Sequence, residues 1–185
     1  MREALRLGSS TSGLGKCLPE AILKPNPVST MPEQDADGLR KLAASLAKLI
    51  CRSELKSFEY FVSLPMLELE LDHPLVLMLQ ALSSECEIWS VHAPFAGVDL
   101  ASPDDDMRRQ SIENVKRAAN LAGELGARVL TVHPALELPD MEPRSARIRN
   151  SGRSIAEVAA ICADMGITVA VEILPRKCIG NRLEE

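Results

Sequence analysis

From Cys86 onward the chain repeats one pattern: a short apolar run that ends on a titratable residue, then a longer amphipathic stretch that ends on glycine. The runs at 86–91, 128–132 and 167–174 are dense in Val, Ile and Leu, the composition of strands buried on both faces. The stretches between them carry helix punctuation. Ser102 as N-cap, Pro103 at the first helical position and Asp104 to Asp106 in the first turn predict a helix start. The apolar spacing of Ile112, Val115, Ala119, Ala122 and Leu125 carries that helix to a stop at Gly126. A second helix is predicted from about Arg144 to Met165, with Ile155, Val158, Ala159 and Ile161 toward the core and Gly166 as its stop. Gly126-Ala127-Arg128-Val129-Leu130 and Gly166-Ile167-Thr168-Val169-Ala170 are two copies of the same junction, helix stop then strand. Strands alternating with helices at this spacing predict βαβ units and a parallel sheet. Right-handed crossovers then bring every strand C-terminus to one edge.

The N-terminal half repeats the pattern less regularly. Segments 5–11 and 58–64 read as strands, and 37–50 and 74–82 as helices. Residues 13–36 hold Pro19, Pro25, Pro27 and Pro32 with little periodicity and read as a long irregular loop. The 185 residues, 46% of them hydrophobic, suffice for a single domain with a sizeable core. The chain therefore reads as one α/β domain over 1–185, an incomplete TIM-type (β/α) barrel of about five parallel strands with outer helices.

Side-chain parity places the chemistry. Alternate residues of a strand face opposite sides. One parity reads Ile88, Ser90, His92, then Val129, Thr131, His133, then Thr168, Ala170, Glu172. The other is apolar: Trp89 and Val91, Leu130 and Val132, then Val169, Val171 and Ile173, which suits packing against outer helices. The first parity suits a barrel interior that becomes polar at its mouth, and in each strand its last member is titratable. A barrel keeps its active site at that C-terminal rim. His92 to His133 is 41 residues and His133 to Glu172 is 39. A lone buried histidine is most often a hydrogen-bonded core residue. Two imidazoles and a carboxylate at matching positions of three strands instead fit the donor set of a divalent metal, with a coordination position left for water or substrate.

The runs Ser90-Val91-His92-Ala93-Pro94-Phe95, Thr131-Val132-His133-Pro134-Ala135 and Val171-Glu172-Ile173-Leu174-Pro175-Arg176 resemble the xylose isomerase-like barrel superfamily. That group holds sugar phosphate isomerases and epimerases together with endonuclease IV. The resemblance is best over 86–185. It implies that His92, His133 and Glu172 bind a divalent ion (manganese, magnesium, cobalt or zinc). It also implies that Glu172 doubles as the acid/base at the carbon that loses its proton. The reaction implied is isomerisation or epimerisation of a sugar or sugar phosphate by proton transfer beside a carbonyl. A metal-dependent phosphodiesterase like endonuclease IV is the second reading, and an inactive truncated remnant the third. A complete barrel of this kind has eight strands and about 250 residues. Five strands are legible here, and the superfamily's later aspartate, histidine and glutamate ligands have no counterpart. The chain thus reads as C-terminally truncated, with sheet edges open to self-association or to pairing with another chain.

Arg176, Lys177 and Asn181 follow the third motif and are candidate substrate-binding residues. Arg144, Arg147, Arg149 and Arg153 read as a solvated helix face. A formal net charge of −5 speaks against a polyanionic partner, so no nucleic acid is expected. No apolar run is long enough to span a bilayer, so no membrane partner is expected either. Five dispersed cysteines without a CxxC pair fit a reducing compartment, the cytoplasm.

Overall fold

The computed structural model describes residues 8–10, 38, 41, 44–45, 48, 57–69, 74–136, 143–174 and 178–182. The loop expected at 13–36 and most of the helix expected at 37–50 lie outside these residues. The chain divides into two compact units, Met1–Tyr60 with Glu68–Trp89, and Phe61–Leu67 with Ser90–Glu185.

In the first unit, strand β1 (Gly8–Ser10) pairs in parallel with β2 (Ser57–Phe61), Gly8 opposite Ser57 and Ser10 opposite Glu59. Helix α1 (Pro74–Glu85) begins on the proline expected to start it and runs three residues beyond the expected end at Leu82. Among the described residues of this unit, Phe58, Tyr60, Val76, Leu79, Leu82 and Ile88 are buried.

The second unit starts at the last residue of β2 and takes in the end of β3 (Glu87–His92). Helix α2 (Asp105–Glu124), strand β4 (Val129–Val132), helix α3 (Arg144–Asp164) and strand β5 (Thr168–Val171) follow. Val62 donates its amide to His92 O at 3.0 Å, so the chain leaving β2 runs beside the end of β3. Strands β3, β4 and β5 pair in parallel, with Ser90 opposite Val129 and Val129 opposite Thr168. The sheet order is therefore the chain order, β1-β2-β3-β4-β5. These are the βα units of a partial (β/α) barrel, with α2 packed on β4 and α3 on β5 and on α2. Val91, Leu130 and Val132 are fully buried, as are Val115, Ala118, Ala119 and Ala122 on α2. No helix among the described residues is long and apolar enough to cross a membrane.

Four expectations change. First, β2 ends at Phe61, and Leu64 opens a short 3-10 helix, Leu64–Glu68. Pro65 has no amide to give a ladder, so it suits the first turn of that 3-10 helix better than a strand. Second, Asp104 rather than Ser102 caps α2. Its carboxylate accepts the amides of Asp106 (2.8 Å) and Met107 (3.0 Å), while Ser102 Oγ takes the amide of Asp104 itself at 3.1 Å. Third, the buried stripe of α3 is Arg147, Ser151, Ser154, Val158 and Cys162, polar in its first half. Arg149 and Arg153 are exposed as read, but Arg147 is 1% exposed. Fourth, the apolar parity of the last strand is uncovered, with Val171 48% and Ile173 59% exposed. Among the described residues no helix follows β5 to cover that face.

Candidate metal centre

The parallel register brings the three motif residues together. His92 closes β3 level with Thr131 of β4, and Thr131 is level with Ala170 of β5. Two residues further along the same parity come His133 and Glu172. The ladder continues past the formal ends of the strands, because Glu172 donates its amide to Val132 O at 3.0 Å. Both imidazoles are buried, whereas the Glu172 side chain is 48% exposed.

The contacts converge on one atom. His92 Nε2 and His133 Nε2 each lie 3.0 Å from Glu172 Oε2. One ligating atom from each of the three residues lies within 4.8 Å of the others. His92 Nδ1 sits 2.8 Å from Ala93 O. A carbonyl oxygen only accepts, so this bond puts a proton on Nδ1 and leaves Nε2 as the lone-pair nitrogen of the neutral ring. A neutral His92 would then turn a lone pair toward a carboxylate oxygen. Either a proton or a metal cation must lie between such donors, and the backbone-fixed tautomer is the one that metal-binding histidines adopt. The donor set, two imidazole nitrogens and a carboxylate oxygen, fits zinc, manganese or cobalt. The Glu172 carboxyl is held below the usual glutamate range, first by its hydrogen bond with His92; burial opposes this as the next largest influence, and the nearby His133 adds to the lowering. Desolvation is thus not the controlling influence, although its apolar strand would suggest so.

Two phenylalanines wall the imidazoles. Phe95 stacks on His133 with ring centroids 4.6 Å apart and planes at 14°. Phe61 meets His92 edge-on at 5.6 Å and Phe95 at 5.4 Å. The chain has only three phenylalanines, so placing two here is a concentration that composition alone could not locate. Phe95 stood inside the first motif, whereas Phe61 had no signal beyond its place within the strand expected at 58–64.

Of the other candidates, Asn181 Oδ1 accepts from Arg144 Nη2 at 3.2 Å, and the same guanidinium nitrogen donates to Cys178 O at 3.0 Å. Arg176 and Lys177 lie outside the described residues. Sequence reasoning missed Asp99, which is 3% exposed and accepts from Arg147 Nη2 at 2.9 Å. The available signal was the three-to-four spacing that puts Arg147 in line with Ser151, Ser154 and Val158.

Residues 56–185 match the protein family described as xylose isomerase-like TIM barrel. An uncharacterized protein of Methanocaldococcus jannaschii is 31% identical over 87 residues, covering 46% of this chain and 29% of that protein. A solved D-tagatose 3-epimerase-like protein superposes with a TM-score of 0.59 at 25% identity, over 72% of this chain and 50% of that one. A D-psicose 3-epimerase from Clostridium cellulolyticum H10, solved with D-tagatose, gives 0.60 at 17% identity, over 76% of this chain and 48% of that one. At 17% identity the likeness shows the fold alone. The chain spans about half the length of these two structures.

Proposed function

Because the chain belongs to the xylose isomerase-like TIM barrel family, we propose that it is a divalent-metal-dependent isomerase or epimerase of a small sugar or sugar phosphate, moving a proton at the carbon beside a carbonyl. The observation that carries this reading is the meeting of two buried imidazole nitrogens on one carboxylate oxygen, 3.0 Å from each, at the C-terminal ends of neighbouring parallel strands.

His92, His133 and Glu172 would hold a divalent ion, which would supply Lewis-acid polarisation of a sugar's carbonyl and adjacent hydroxyl and so acidify the neighbouring C–H. Glu172 is the one of the three open to solvent, so an incoming substrate meets the carboxylate first. Held below its usual range, that carboxyl is fully ionised at neutral pH and ready to take a proton. Such a carboxylate is a modest base, which is why the reaction also needs a substrate proton already made acidic. Phe61 and Phe95 keep water from one side of the two imidazoles. From their place after the third sequence motif, Asn181, Arg176 and Lys177 are assigned to substrate binding. Among the described residues, Cys162 and Cys178 take part in no disulfide, which accords with a reducing cytoplasm. The net charge of −5 weighs against the endonuclease IV-like alternative, whose substrate is a polyanion.

The test is solvent exchange. With manganese added, the chain is incubated in deuterium oxide with D-tagatose or D-psicose, and deuterium entering beside the carbonyl is followed by NMR. We expect wash-in with the parent chain and none with Glu172→Gln. Metal binding without exchange on any ketose would reject the isomerase reading and leave an inert metal-binding remnant. Absence of metal binding would reject the centre itself.

A further inference from the structure

We propose that helix α3 is a positioning element for His133, its buried polar row fixing the two rim loops whose packing sets the orientation of that imidazole. Arg147, Ser151 and Ser154 are spaced four and three residues apart, so they share one face of the helix. That face is buried, and a buried helical stripe is ordinarily apolar. Each of the three side chains reaches a loop. Arg147 Nη2 donates to Asp99 Oδ1 at 2.9 Å and Ser151 Oγ to Pro134 O at 2.6 Å, while Ser154 Oγ shares its hydrogen between Leu100 O at 2.8 Å and Asn150 O of its own helix at 2.9 Å. Pro134 is the residue directly after His133. Asp99 Oδ1 also accepts the amides of Ala101 at 3.2 Å and Leu136 at 3.4 Å. One buried carboxylate oxygen therefore joins α3, the loop after β3 and the loop after β4.

Stability alone does not account for this. Among the described residues, Arg147 Nε and Nη1 are buried without a hydrogen-bond partner. A buried guanidinium that spends Nη2 alone recovers little of its desolvation, and buried ion pairs are frequently outdone by apolar side chains of similar volume. What the network does supply is a fixed relation between two loops. At the front of the first loop, Phe95 stacks on His133, 4.6 Å from it. At the front of the second, His133 Nε2 meets Glu172. A shift of either loop moves the stack, and with it the nitrogen that faces Glu172. Asp99, Arg147 and Ser151 are thus positioning residues, acting on His133 through the loops.

The first readout needs no metal. The chain has three histidines, so the ring protons of His133 are assigned by comparison with His133→Asn, and the Phe95 ring shifts them upfield in the parent chain. We expect Ser151→Ala, and Asp99→Leu with Arg147→Met in one chain, to move these signals toward their positions in Phe95→Leu. Ser151→Thr, which keeps the hydroxyl, should restore them. The single hydroxyl deletion answers the question even if the double variant fails to fold. Parent-like His133 signals in folded Ser151→Ala and in the folded double variant would overturn the proposal. The second readout rests on the metal reading above: cobalt(II) should bind the same variants about 10- to 100-fold more weakly, as when outer-shell partners of metal ligands are removed. If the parent chain binds no cobalt, the metal reading falls and the ring-proton result still decides this one.

Discussion

At the scale of the residue, Glu172 concentrates the chemistry. Its carboxyl is held low chiefly by the His92 hydrogen bond. A carboxyl depressed in the folded state adds stability that is present above its unfolded value, about 4.3, and lost as pH falls through the folded value. We expect thermal melts of the metal-free parent and of Glu172→Gln to converge as pH drops below about 4 and to separate above it. Metal binding runs the same way. Any proton shared among the three side chains must leave before an ion enters, so affinity should fall toward acid pH and binding should release protons, measurable by calorimetry in buffers of different ionisation enthalpy. The two ligand variants should differ in kind. His133→Asn keeps the carboxylate, so excess metal should partly restore exchange activity; Glu172→Gln removes the base, and no metal concentration should rescue it. Residue types and strand parity made all three site residues legible. What they could not reveal was Phe61, brought beside His92 from a preceding strand, because ring contacts leave no periodic mark.

At the scale of the element, the glycine stops and apolar spacing placed α2 and α3 within a residue or two of where they lie. The cap of α2 moved from Ser102 to Asp104 because serine and aspartate are comparable caps and local propensity does not rank them. The polar face of α3 was illegible for a different reason. Arg147 is buried because Asp99 receives it, and that partner is 48 residues away. A basic residue with no visible partner reads as solvated. The segment after β5 turns back on glycine as well. Gly180 has φ +83°, and a β-carbon there would run into the Pro134 ring. Gly180→Ala should therefore cost about 1–2 kcal/mol from the left-handed backbone alone, and more from the collision. Chemical denaturation would measure it. A variant as stable as the parent would show that Gly180 is not held in this conformation.

At the scale of the whole molecule, repetition made the architecture legible: two copies of one helix-strand junction specify a parallel sheet, and the family match agrees. The irregular N-terminal half offered no such repeat, and most of it stays an expectation. Val171 at the end of the sheet's last strand and Ile173 just beyond it are exposed, beside an edge with no further strand among the described residues. Apolar side chains next to an open ladder favour association. We expect the chain to elute from size exclusion at a mass that rises with concentration, and Val171→Lys with Ile173→Lys to lower that mass; concentration-independent elution as a monomer would exclude it. The buried Arg147–Asp99 pair carries a consequence for the order of events. A guanidinium cannot enter the interior before its carboxylate is there, so α3 and the loop from Asp99 to Ser102 should open and close together. In native-state hydrogen exchange, the loop amides of Ala101 and Leu136 should share the opening free energy of α3 rather than exchange at the fast rates of loops.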